Sequence, residues 1–158
     1  MSTQQFQDPD VIRKALNRHR IAVVGLSANE LRASHFVGRY MQMHGYDVIP
    51  VNPREESILG LESYASLSDI PEPVDIVDVF RNPDAVPAIA EEAVATGAKC
   101  LWLQFGVISD AGAKIAGDGS LDVVMDRCLK VEHARYLGRM HWLGLNTGRI
   151  TARRANLV

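Results

Sequence analysis

The chain has 158 residues, with 17 Lys and Arg against 19 Asp and Glu, a formal net charge of −2 and an isoelectric point near 6.2. An apolar fraction of 47% with 23% charged residues suits one soluble globular domain. That balance excludes generic nucleic-acid binding through phosphate neutralisation, and no run approaches the roughly 18 apolar residues of a membrane span.

Two cysteines make no disulfide framework, and the polar start Met-Ser-Thr-Gln-Gln is no secretory signal, so a cytoplasmic location is expected. Residues 1–7 read as loosely attached. Asp8-Pro9 then starts a helix, Asp8 capping and Pro9 in the first turn, with Val11, Ile12, Ala15 and Leu16 at helical spacing. Ile21 to Val24 reads as a strand buried on both faces, and Gly25 ends it where the chain can turn sharply. The polar loop behind it carries Ser27, Arg32 and Ser34. A helix follows, with Phe36, Val37, Tyr40 and Met41 on one side and Gly45 to stop it.

The second strand is Tyr46 to Val51, ended by Asn52-Pro53, and the third runs from Val74 to Phe80. Asn82 and Pro83 open a helix with an apolar stripe of Val86, Ile89, Ala90, Ala93 and Val94, stopped by Gly97. Lys99 to Gln104 is a fourth strand and Leu121 to Met125 a fifth, with an Ala/Gly-rich helix from Ser109 to Ala116 between them. A last helix begins near Asp126 and carries Leu129, Val131 and Tyr136. Five short buried strands alternating with helices predict an α/β fold. It is a Rossmann-like, doubly wound parallel five-stranded sheet in the order 3-2-1-4-5, with helices on both faces.

Ligands of such sheets bind beyond the carboxyl ends of the strands. Past the first strand stand Gly25, Leu26, Ser27, Arg32 and Ser34; past the second, Asn52, Pro53 and Arg54; past the third, Phe80 and Arg81. The fourth offers Gln104, Phe105 and Gly106, and the fifth Asp126, Arg127 and Cys128. Arginines, hydroxyls, an amide and an aromatic ring on one rim suit phosphates plus a base. The first free N–H groups of a helix add positive potential. A dinucleotide fingerprint is missing, since Gly25 is the only glycine before Gly38, and the second strand ends in Asn-Pro-Arg with no acidic residue. An arginine there suits an extra phosphate, as on NADP or the 3′-phosphate of coenzyme A. No Gly-Lys-Ser/Thr of a Walker loop occurs.

Several ordered segments carry a resemblance. They are Val-Val-Gly-Leu-Ser with Arg32-Ala-Ser34, Val-Ile-Pro-Val-Asn-Pro-Arg with Ile-Leu-Gly, and Ser66 to Arg81. Two more are Gly-Ala-Lys-Cys-Leu-Trp-Leu-Gln-Phe-Gly-Val and Val-Val-Met-Asp-Arg-Cys-Leu-Lys-Val-Glu-His. Over residues 10–137 the chain resembles the small single-domain CoA-binding proteins, which are similar to the CoA-binding domain of the succinyl-CoA synthetase α subunit. The resemblance implies CoA or an acyl-CoA lying along the strand ends. Gly25, Ser27, Arg32 and Ser34 would meet the pyrophosphate, and Asn52, Pro53 and Arg54 the adenosine and its 3′-phosphate. Phe80 and Arg81 would border adenine or ribose, with Gln104 and Gly106 nearer the pantetheine. The synthetase's phosphohistidine belongs to a second domain, for which 158 residues leave no room. The expected role is therefore non-catalytic binding as carrier, sensor or regulatory module. The alternatives are an NADP-dependent oxidoreductase or a subunit of a larger acyl-CoA enzyme.

No catalytic residue and no metal site is predicted: the five histidines lack ligand spacing, and Gly-x-Ser-x-Gly is absent. Cys100 reads as core, and Cys128 as a structural thiol in a setting that can lower a thiol pKa. The whole chain is read as one domain, with residues 8–137 as core and 138–158 as a basic extension. From His133 onward no acidic residue occurs, while Arg135, Arg139, Arg149, Arg153 and Arg154 do. The extension is expected to be a solubilising tail, with a dimer arm or an extra clamp on the ligand as alternatives. Expected partners are a small-molecule nucleotide cofactor and a second copy or larger protein, with no nucleic acid and no membrane.

Overall fold

The computed structural model describes residues 2–138, so the basic extension past Gly138 lies outside the described residues. The leading segment is anchored, contrary to expectation. Thr3–Phe6 form a 3-10 turn, Phe6 packs on the core, and the Gln7 side-chain amide donates to the Met125 carbonyl at 3.1 Å. Asp8 caps α1 (Pro9–Leu16) as read, accepting from the Asp10 and Val11 amides at 2.8 and 3.4 Å.

The chain continues through β1 (Arg20–Val24), α2 (Ala33–Met43), β2 (Asp47–Val51) and a small hairpin, β3 (Ser57–Ile58) with β4 (Leu61–Glu62). Then come β5 (Ile76–Val79), α3 (Val86–Ala95), β6 (Cys100–Leu103), α4 (Asp110–Asp118), β7 (Asp122–Met125) and α5 (Leu129–Tyr136). Asn82 accepts the capping bond expected of it, from Asp84 N, and Ser109 caps α4 by accepting from Gly112 N. The last helix begins at Leu129 and not near Asp126, because Asp126 adopts φ +58°, outside helical space.

All five long strands are parallel, and strand alternation divides the core into two layers. Ile21 and Val23 point toward α1, α2 and α5, while Ala22 and Val24 point toward α3 and α4. Helices thus cover both faces of a Rossmann-like sheet, as predicted. Two helical stripes differ from expectation. On α2, Phe36 is 53% exposed while Gly38 faces inward, where an added β-carbon would meet Leu26. On α5, Glu132, His133 and Arg135 are buried while Val131 is only partly so.

The strand order is β2-β1-β5-β6-β7, which in terms of the five long strands is 2-1-3-4-5 and not 3-2-1-4-5. The cause lies between β2 and β5. Tyr64 bridges to Val51 on the outer edge of β2, its amide bonded to the Pro50 carbonyl at 3.0 Å and its carbonyl to the Asn52 amide at 2.8 Å. That edge, where the third strand was expected, is already taken. The segment then passes beneath the sheet through Leu67, which packs in the α3 layer, and delivers β5 to the far side of β1. The winding therefore reverses between β1 and β5, which places the ligand crevice outside their carboxyl ends.

Candidate functional site

The site is built around Gly25. Its amide donates to the Val51 carbonyl at 2.9 Å, and one strand over, the Phe80 amide donates to the Val24 carbonyl at 2.9 Å. Gly25 has φ +86°, and a β-carbon added there would stand 2.6 Å from the Phe80 carbonyl oxygen. The turn is compressed against β5 in a way only glycine permits.

After the turn, Leu26 enters the core and the loop is clamped from α2. The Ser34 hydroxyl accepts from the Ser27 amide at 3.0 Å, and His35 Nδ1 donates to the Ser27 carbonyl at 2.9 Å. The Ser27 hydroxyl accepts from the Asn29 amide at 3.0 Å. Each serine keeps its own O–H proton to donate. Asn52 braces the opposite side, its amide nitrogen donating to the Leu26 carbonyl and its oxygen accepting from the Arg54 amide, both at 2.9 Å. Its role is to hold two loops in register.

These loops enclose a cleft of about 570 Å³ lined by Gly25, Ser27, Arg32, Ala33, Ser34, Asn52, Pro53, Arg54, Phe80 and Arg81. Nine of these ten were singled out from the sequence. Ala33 was not, and its position in the first helical turn was the available signal. Three predicted residues lie elsewhere. Leu26 contributes only its carbonyl to the Asn52 brace. Gln104 is buried, donating to Asp78 Oδ1 at 2.7 Å. The Gly106 amide donates to Asp126 Oδ1 at 2.9 Å at the exposed far side of the rim.

The electrostatics of the cleft are one-sided. The N-cap of α2 is Arg32, whose side chain makes no capping bond, so the Ala33 and Ser34 amides lack internal partners. A guanidinium at the positive end of a helix is locally unfavourable, because the position prefers Ser, Thr, Asp or Asn. Among the described residues no carboxylate pairs with Arg32, Arg54 or Arg81, not even Asp84 three positions after Arg81. Three exposed guanidinium groups, two free amides and two hydroxyl protons converge on one hollow beside an aromatic ring. Such a set complements an anion carrying several negative charges.

Burial raises the thiol pKa of both Cys100 and Cys128, so the helix start at Leu129 does not activate Cys128. Among the described residues no group of three or more His, Cys, Asp or Glu could hold a metal ion, and no helix is long and apolar enough to cross a membrane.

A parallel sheet with a cation-lined cleft at its switch point is an α/β fold of Rossmann type. More narrowly, the family model for the CoA-binding domain matches residues 19–134, and the chain belongs to that family. It is 43% identical over 124 residues to the uncharacterized protein YneT of Bacillus subtilis (strain 168), covering 78% of this chain and 92% of that one. The solved structure of a hypothetical protein from Pyrococcus horikoshii OT3 has 38% identity and a TM-score of 0.80, over 83% of this chain and 93% of that one. The ADP-forming acetate–CoA ligase of Methanocaldococcus jannaschii is 24% identical over 118 residues, 75% of this chain. The match spans only 16% of the ligase's length.

Proposed function

We propose that the chain binds coenzyme A or an acyl-CoA in the cleft between β1, β2 and β5, without catalysing a reaction itself, as a carrier, sensor or regulatory module. The observation that carries this reading is Arg32 at the N-cap of α2, with Arg54 and Arg81 facing the same hollow and no acidic partner for any of them among the described residues. The pyrophosphate lies over the Ala33 and Ser34 amides, bonded by the Ser27 hydroxyl and Arg32. Arg54 takes the 3′-phosphate, and the base lies against Phe80 and Arg81. A second reading, as a subunit of a larger acyl-CoA enzyme, is favoured by the likeness to one part of an ADP-forming acetate–CoA ligase.

Thermal unfolding with CoA, acetyl-CoA, dephospho-CoA, NADP and ATP tests the ligand. A compound present at 100 times its Kd should add about 2.7 kcal/mol of stability. CoA and acetyl-CoA are expected to do so at the lowest concentrations, and a stronger response to NADP or ATP would overturn the assignment. Titration calorimetry on two variants locates the phosphates. Arg32→Ala and Arg54→Ala are each expected to weaken CoA by roughly 1.5–3 kcal/mol, the scale of a lost charge-assisted hydrogen bond. Arg54→Ala should leave dephospho-CoA nearly unaffected, whereas Arg32→Ala should weaken both.

A further inference from the structure

Away from the cleft, α2 and α5 are joined by a cluster of titratable rings that nucleotide binding does not use. The Tyr40 hydroxyl lies 2.9 Å from His133 Nδ1. The His44 ring stacks on Tyr40 with centroids 4.0 Å apart, and stands 5.0 Å from the His133 ring in a T-shaped arrangement. Tyr46 closes the cluster at 5.6 Å from His133. His133 is itself buried, whereas His44 is exposed at the C-terminal end of α2 with Nδ1 donating to the Tyr40 carbonyl at 2.7 Å.

We infer that Tyr40, His44 and His133 form an acid-sensitive lock that pins α2 to α5. In the closed state His133 is neutral, and its Nδ1 lone pair accepts the Tyr40 proton. A proton added to His133 takes up that lone pair and places a cation among cations. Lys130, from the same helix, stands 5.4 Å from the centre of the Tyr40 ring. From α1, Arg13 lies over the neighbouring Tyr136 ring at 5.0 Å and pairs with Asp10. The nearby carboxylate on α5, Glu132, is committed to Arg135 at 2.9 Å and Arg127 at 3.6 Å. Burial first, and the charge of His44 second, hold the His133 pKa below its ordinary 6.5.

The sign follows from linkage. His133 binds a proton more weakly folded than unfolded, so its contribution is complete above about pH 6.5 and is lost as pH falls below that value. The consequence extends along α2, because its first turn holds Ser27 through Ser34 and His35. Loosening the far end of this helix therefore loosens the loop that lines the cleft. The lock does not depend on which ligand the cleft takes.

The test uses the whole ligand-free chain. Nuclear magnetic resonance titration of the histidines should show His133 protonating below the range of a solvated imidazole. In H44Q, which removes the neighbouring charge, its midpoint should rise. Thermal unfolding at about pH 7.5 and about pH 5.5 is compared between the natural chain and H133Q, since other buried groups contribute slopes common to both. On acidification the melting temperature of the natural chain should fall relative to that of H133Q, by up to roughly 3–5 °C. Equal losses, or a His133 midpoint at or above the ordinary value, overturn the lock. If H133Q does not fold, the histidine titrations of the natural chain and H44Q decide the matter alone.

Discussion

Replacing Gly25 by alanine is expected to destabilise the chain by about 2–4 kcal/mol and to abolish measurable filling of the cleft. Two penalties add at this position. An L-residue with φ near +86° costs about 1–2 kcal/mol, and the new methyl group would meet the Phe80 carbonyl at 2.6 Å. Backbone on both sides must shift to relieve that contact, and the shift moves the floor of the anion site. Gly45 provides the control, because φ is +87° there and nothing lies within 4 Å of an added β-carbon. Gly45→Ala should therefore show the conformational cost alone, about 1–2 kcal/mol, with binding intact. With 2–4 °C per kcal/mol expected for a domain of this size, differential scanning calorimetry separates the two variants readily. If Gly25→Ala and Gly45→Ala melt together, the compression against β5 is not what makes Gly25 necessary.

Stability should also fall with rising pH on account of Asp78, and Asp78→Asn should remove most of that slope. Asp78 lies on β5, fully buried between Val23 of β1 and Trp102 of β6. Oδ1 accepts from Gln104, and Oδ2 has no hydrogen-bond partner among the described residues. Burial pushes its pKa up to about 8, against the smaller opposing effect of the Gln104 bond. The folded chain thus holds a proton that the unfolded chain has released from about pH 4 upward. Stability associated with the protonated acid is complete below about pH 4 and is lost progressively up to about pH 8, then levels off. Each unit of pH inside that window is worth up to about 1.4 kcal/mol, so the total is on the order of several kcal/mol. Asparagine keeps the oxygen that Gln104 donates to and carries no charge, so the variant should gain on the natural chain as pH rises. Urea unfolding at intervals from pH 5 to about pH 9 measures this. Parallel curves for the two proteins would mean that Asp78 does not titrate in this window. Glu132, whose pKa burial also raises despite Arg135 and Arg127, adds a slope of the same sign to both. His133 acts in the opposite direction below about pH 6.5, inside the window of Asp78, so the two slopes oppose one another there.

Much of the cleft was legible because its parts are local. A run of buried β-branched residues ending in glycine, followed by hydroxyls and a helix start, determines a strand, a turn and a set of free amides without reference to the rest of the chain. Arg54 and Arg81 could be placed on one rim because each closely follows a recognisable strand end, and Arg32 because it lies in the loop between the first strand and α2. The residues that depart from expectation are those whose bonding depends on distant partners. Asn52 is held by Leu26, 26 positions earlier, and Gln104 is drawn inward by Asp78, 26 positions earlier. No spacing rule announces either bond.

The amino-acid sequence by itself determined the five long strands and the helices between them, the parallel α/β class, the cap of α1 and the cationic character of the rim. These depend on periodicity, capping residues and charge, all of which act within a few positions. Only the tertiary structure decided the lateral order of the strands, the inward turn of Phe36's neighbours on α2 and the buried polar residues of α5. Strand order depends on which edge is already occupied, here the outer edge of β2 taken by Tyr64, and a polar side chain can be buried only where folding supplies its partner.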